Sequence, residues 1–248
     1  MKRIKKINFK SQIPNLITLT GLSFGLSSIR YSLDLNFEIS VICLLIASVC
    51  DALDGFFSRI LKKESELGAE LDSLSDFLSF AVAPCILIYM SLINKNEVMG
   101  SISLLLFVIF SCIRLAKFNT EKFNKTSDLK YFNGVPTPAG CGLLILPLIH
   151  SFIGIEWAIN NQLFLNIYIF VVGFLLVSDI PTFSFKQLKI KVSKKNYIYL
   201  SVIFFLVLLS LINFLWISIS TIGLLYLLSL PISLRVYKFQ LNKIIENI

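Results

Sequence analysis

Residues 51–76 read DALDGFFSRILKKESELGAELDSLSD, and a long apolar run flanks them on either side. The stretch holds two pairs of aspartates, Asp51/Asp54 and Asp72/Asp76, with Gly55, Arg59 and Gly68 between them. Carboxylates at the end of an apolar helix are costly to place, and where they occur they mark a site. At 100° per residue, a spacing of i, i+3 in the first pair and i, i+4 in the second puts each pair on one helix face. Two such helices side by side aim four carboxylates at one point. A divalent metal suits that point better than any other ligand.

Outward from this stretch, composition sets the fold class. The 248 residues are 56% hydrophobic, and the mean hydropathy is +0.79. Soluble domains usually hold about 45–50% apolar residues, so lipid is the expected solvent. Apolar segments fall at about 13–32, 38–58, 71–93, 97–116, 138–155, 162–178, 197–214 and 217–235. Each is near the roughly 20 residues that cross the hydrocarbon core as a helix. The expectation is an all-α polytopic membrane helix bundle of about eight transmembrane helices. Residues 1–185 would form a six-helix core and residues 186–248 a C-terminal two-helix membrane extension.

Charge sets the orientation. Of the 23 Lys and Arg residues, 21 fall on one side of an eight-span layout, leaving only Arg30 and Lys95 on the other. The positive-inside rule makes the rich side cytoplasmic. Both termini then lie in the cytoplasm, and the protein is multi-pass in the cell membrane. The basic N-terminus, MKRIKKINFK, precedes an apolar run with no small-residue cleavage site after it, so that run is expected to be retained as the first span. A net charge of +8 does not argue for nucleic acid, because no basic stripe stands apart from the membrane-flanking segments. Anionic headgroups of membrane lipids are the natural partner. The five cysteines lie in apolar runs without metal-pair spacing, and they read as small buried hydrophobes.

The four aspartates would therefore sit at the cytoplasmic boundary, where a lipid headgroup and a water-soluble reactant can meet. Asp51, Asp54 and Ser58 share one helical face, and Asp72, Asp76 and Ser79 share another. Gly55 removes a side chain where a ligand can approach the backbone. Arg59 is a planar, permanently charged donor suited to phosphate. An all-oxygen donor set favours Mg²⁺ or Mn²⁺ over zinc, and two such ions would neutralise a diphosphate and polarise its phosphorus.

The pattern D-x2-D-G-x2-A-R-x8-G-x3-D-x3-D is the signature of the CDP-alcohol phosphotransferase family. This chain resembles it at Asp51, Asp54, Gly55, Arg59, Gly68, Asp72 and Asp76, with Ser58 where the pattern has Ala. The resemblance covers the first six spans. It implies that Asp51, Asp54 and Asp72 hold the metals, with Asp76 a further ligand and the general base on the acceptor hydroxyl. It places Gly55, Arg59 and Gly68 on the CDP-lipid, where the Ser58 hydroxyl would add a contact. It also places Asn15 and Thr18 of the first span near the nucleotide; read alone, they are ordinary polar residues at a helix start. The implied reaction is attack of an alcohol on the phosphorus that carries diacylglycerol, with CMP leaving. Asp76 can act as base only if one of its oxygens stays clear of the metal. The family resemblance also implies a homodimer.

The acceptor is read from later stretches. Arg114-Leu-Ala-Lys117-Phe-Asn119 and Asn133-Gly-Val-Pro136-Thr137-Pro138-Ala139-Gly140 resemble the corresponding segments of the membrane-embedded bacterial phosphatidylserine synthases. So do Ala69-Glu70-Leu71-Asp72-Ser73 and Pro181-Thr182-Phe183-Ser184. The resemblance implies CDP-diacylglycerol as donor and L-serine as acceptor. Arg114 and Lys117 would hold the serine carboxylate or the donor phosphates, and Asn119 would accept from the amino group. The positive-inside rule alone also demands cations at that helix end. The two prolines predict a stiff turn with Thr137 capping the helix that follows. His150, the one histidine, lies deep in the fifth span and away from the site. Asp179, at the end of the sixth span, is expected to pair with a nearby Lys. Glycerol 3-phosphate, inositol or choline are alternative acceptors. A divalent-cation transporter with an acidic filter is the alternative from another class.

Overall fold

The computed structural model describes residues 12–61, 66–94, 97–124, 132–178, 181–182 and 213–245. The N-terminal tail, the 62–65 loop, Asp179, Phe183, Ser184, the 186–195 loop and all but the end of the 197–214 span lie outside them. Helices α1 (Ile13–Leu33) and α2 (Phe37–Leu61) form an antiparallel hairpin. The buried residues of α1 are Pro14, Thr18, Gly21, Gly25, Ser28 and Ser32, a stripe of small side chains at helical spacing. Small residues let two backbones approach closely where lipid gives no hydrophobic drive for association. At Gly21 a Cβ would lie 3.1 Å from Cys50 Cβ on α2. At the far end of the hairpin the Ser40 hydroxyl lies 2.7 Å from that of Ser28 and 2.8 Å from that of Ser32, all three buried.

The single span expected over 71–93 is interrupted. Helix α3 (Glu66–Phe77) passes through a π-helical turn (Leu78–Val82) into α4 (Ala83–Ser91). In the wide turn the Ala83 N–H donates to the Leu78 carbonyl. Pro84 in the first turn of α4 supplies the cause. Proline gives no N–H to the preceding turn and crowds the carbonyl four residues back, and a widened turn relieves both.

Helix α5 (Val98–Asn124) outruns its expected segment by two turns. It leads to a short antiparallel ribbon, β1 (Phe132–Asn133) on β2 (Pro181–Thr182), which period-based reading misses because each strand has two residues. Between them α6 (Thr137–Phe152), α7 (Trp157–Asn160) and α8 (Gln162–Val177) fold back on the bundle. Thr137 does not cap α6 as expected: Pro136 holds the cap position without a side-chain bond, and Thr137 is already helical. The Pro136 carbonyl takes the Gly140 N–H at 2.9 Å.

Helix α6 is the centre of the core, with Leu143 to Ile149 buried. Pro147 inside it cannot donate to the Leu143 carbonyl, and the Tyr168 hydroxyl of α8 fills that place at 2.7 Å. The last element is α9 (Leu215–Ile245), which packs on α6. Among the described residues, four helices are long and apolar enough to cross a membrane: residues 37–61, 67–91, 98–120 and 215–235. Helices α6 and α8, at 16 residues each, are shorter. The protein is a membrane-type helix bundle, with the ribbon at one end.

Candidate active site

The site forms where α1, α2 and α3 meet at one end of the bundle. Helix α2 brings Asp51 and Asp54, α3 brings Asp72, Ser75 and Asp76, and α1 lays Thr18 and Gly21 across them. Together with Ala47, Ser79 and Phe80 they line a small cavity.

Asp51, Asp72 and Asp76 each offer a carboxylate oxygen within 4.8 Å of the other two. Carboxylates gathered that closely favour a proton on one of them or a cation between them. At such separations each like-charge pair costs roughly 3 kcal/mol even at an effective dielectric of about 20. Oxygen donors held this way fit a hard divalent cation, and Asp51, Asp72 and Asp76 lie close enough together to share one.

Asp54 stands apart from these three. It is buried, 5% exposed, where the other three are half-buried. Its Oδ2 accepts from the Thr18 hydroxyl at 2.6 Å. The backbone carbonyl of Thr18 in turn accepts from Ser75 Oγ at 3.4 Å. Thr18 thus bonds to both carboxylate-bearing helices. Spacing identified the aspartates, but it held no signal for Ser75, Gly21, Ala47 or Phe80, whose parts depend on which helices touch.

The other expected site residues lie around the cavity rather than in its wall. Arg59 is exposed and folds back on its own helix, Nε donating to the Gly55 carbonyl at 2.7 Å. Ser58 Oγ donates to the same carbonyl at 3.2 Å. Gly68 is half-buried on α3, and Asn15 is half-buried on the first turn of α1. Asn119 reaches α3, donating from Nδ2 to Ser73 Oγ at 3.0 Å, one residue from Asp72. Arg114 is buried and donates through Nε to the Val135 carbonyl, with its guanidinium over the Phe118 ring. It ties α5 to the loop before α6. Lys117 is exposed on α5. His150 accepts from the Trp157 indole N–H at 2.9 Å, near the end of α6 remote from the aspartates.

The family model for CDP-alcohol phosphatidyltransferases matches residues 11–177, which contain the whole of this site. The chain belongs to that family. Among curated relatives, CDP-diacylglycerol–serine O-phosphatidyltransferase of Mycobacterium leprae is 35% identical over 176 residues, 68% of this chain and 57% of that protein. The enzyme of the same name from Helicobacter pylori is 34% identical over 195 residues, 77% of this chain and 81% of the relative. That of Bacillus subtilis is 32% identical over 176 residues, 71% and 92%. The chain thus spans less than two thirds of the length of the mycobacterial relative and most of the other two. In this family member the matched region ends with α8, so α9 lies beyond it.

Proposed function

We propose that the protein transfers the phosphatidyl group of CDP-diacylglycerol to L-serine, forming phosphatidylserine and CMP. The observation that carries the reaction class is the approach of Asp51, Asp72 and Asp76 within 4.8 Å, in a chain of this family. The names of the relatives support serine as the acceptor. The cavity the aspartates line is small, with room for little more than an ion or a water. It suits a cation, with the donor's diphosphate, nucleotide and acyl chains outside it.

The residues divide the work. Asp51, Asp54 and Asp72 with Asp76 would hold a divalent cation, Mg²⁺ or Mn²⁺, as one ion or two, and it would supply charge neutralisation for the diphosphate and the leaving CMP. Arg59 and Ser58, beside Gly55 and Gly68, bind the donor's phosphates, and Asn15 lies toward the nucleotide. The serine hydroxyl oxygen forms a bond to the phosphorus carrying diacylglycerol, the bond from that phosphorus to the CMP oxygen breaks, and the hydroxyl proton passes to Asp76. Arg114, Lys117 and Asn119 on α5 form the acceptor side, where Arg114 also holds the 133–136 loop in place. The bundle spans the cell membrane about eight times, with both termini cytoplasmic, as a homodimer whose 1–185 core carries the site and whose 186–248 extension adds membrane surface.

The test is CMP release by the purified protein from CDP-diacylglycerol with Mn²⁺ or Mg²⁺. Serine, glycerol 3-phosphate, inositol and choline are supplied separately, and Asp76→Asn serves as the blank. Turnover with serine alone supports the reading. Turnover with another acceptor replaces serine, and no CMP from any of them refutes the reaction.

A further inference from the structure

We infer that Thr18 is a positioning residue for Asp54, and that it acts on the metal site rather than on the nucleotide. The inference rests on the metal-holding role proposed above. A threonine within a helix ordinarily gives its hydroxyl proton to the carbonyl four residues back. Thr18 has that carbonyl in reach, Pro14 O at 3.0 Å. It also has Asp54 Oδ2 at 2.6 Å, and the hydroxyl has only one proton. Donation to a carboxylate is charge-assisted and shorter, and the two distances agree with that order. Thr18 is 6% exposed and Asp54 5%.

The bond takes one oxygen of Asp54 and thereby sets the rotation of the carboxylate and the direction of its other oxygen. Two further features make Thr18 a stiff support. Its branched Cβ restricts χ1, and Ser75 Oγ on α3 bonds to its backbone carbonyl. A hydroxyl proton committed in this way is not donated to a nucleotide. Partners that orient a ligating carboxylate typically change metal affinity by about 10–100-fold when removed.

The experiment is Mn²⁺ binding by the full-length protein in detergent, without nucleotide, read by electron paramagnetic resonance. Wild type, Thr18→Val, Thr18→Ser, Asp54→Asn and the Thr18→Val/Asp54→Asn double variant are compared. Thr18→Val, isosteric but without the hydroxyl, should weaken Mn²⁺ binding about tenfold or more, and Thr18→Ser should recover most of it. In the Asp54→Asn background, Thr18→Val should have no further effect, which a general packing role would not produce. An additive loss there overturns the inference. So does a Thr18→Val protein that binds Mn²⁺ like wild type while its KM for CDP-diacylglycerol rises; that result leaves the proposed function standing. A wild-type protein that binds no Mn²⁺ overturns both.

Discussion

Replacing Gly25 by Ala tests how closely α1 must lie against the π turn. A Cβ at Gly25 would lie 2.8 Å from Ser79 Cβ and 3.0 Å from Ser79 Cα. Carbon atoms in contact sit about 3.5–4.0 Å apart, so the overlap is roughly 1 Å. No rotamer relieves it, because both opposing atoms are fixed by the backbone of the turn. Helix α1 must retreat by about that distance, at a cost of about 1–3 kcal/mol for overpacking, offset by up to about 1 kcal/mol from the better helix propensity of Ala. The net loss of about 1–2 kcal/mol should lower Tm by roughly 2–8 °C in a chain of this size. Activity should fall further. The same helix holds Thr18 against Asp54 two turns away, and a misplacement of about 1 Å costs on the order of 10²-fold in rate. Thermal unfolding in micelles and CMP release measure the two effects. Gly21→Ala is the control: its Cβ meets Cys50 Cβ at 3.1 Å, which a few tenths of an ångström of movement relieves. Adding Ser79→Ala should not rescue Gly25→Ala, since the Cβ and Cα remain. Full activity in Gly25→Ala, or complete rescue by Ser79→Ala, would refute the reasoning.

Three further outcomes are expected. Tyr168→Phe should destabilise the protein by about 1–3 kcal/mol, because it strands the Leu143 carbonyl that Pro147 cannot serve. Pro147→Ala should recover part of that loss by restoring an N–H, as denaturant titrations of the single and double variants will show. Chelation should abolish CMP release until Mn²⁺ or Mg²⁺ is returned, and Asp51→Asn, Asp72→Asn and Asp76→Asn should each weaken Mn²⁺ binding in a direct titration. Gly134→Ala should lower Tm markedly. The residue has φ +78°, and its Cβ would fall 2.7 Å from the Leu176 carbonyl oxygen and 2.8 Å from that of Ser178. An unchanged melting curve would contradict that account of the ribbon.

The helices were legible because lipid demands long apolar runs ended by charge. Segment 13–32 became Ile13–Leu33, and 162–178 became Gln162–Val177. The aspartates were legible for a similar local reason: a spacing of three or four on a helix is a shared face. The ends of α5 and the π turn were not. Asn124 lies past the apolar run, in a polar stretch whose helicity is not a membrane requirement. The widening at Leu78–Val82 depends on Pro84 together with the close passage of Gly25.

The sequence by itself determined that this chain is a membrane helix bundle with four aspartates at one end and a family signature through them. Tertiary structure decided how those four divide. Asp51, Asp72 and Asp76 converge, while Asp54 turns to a hydroxyl 36 residues away. It also joined residues 132–133 to 181–182, and turned Arg114 onto the Val135 carbonyl. The reason is geometric. Periodicity along one helix states which side chains share a face. Which face meets which neighbour, and how closely, depends on small residues, prolines and unpaired carbonyls on other helices.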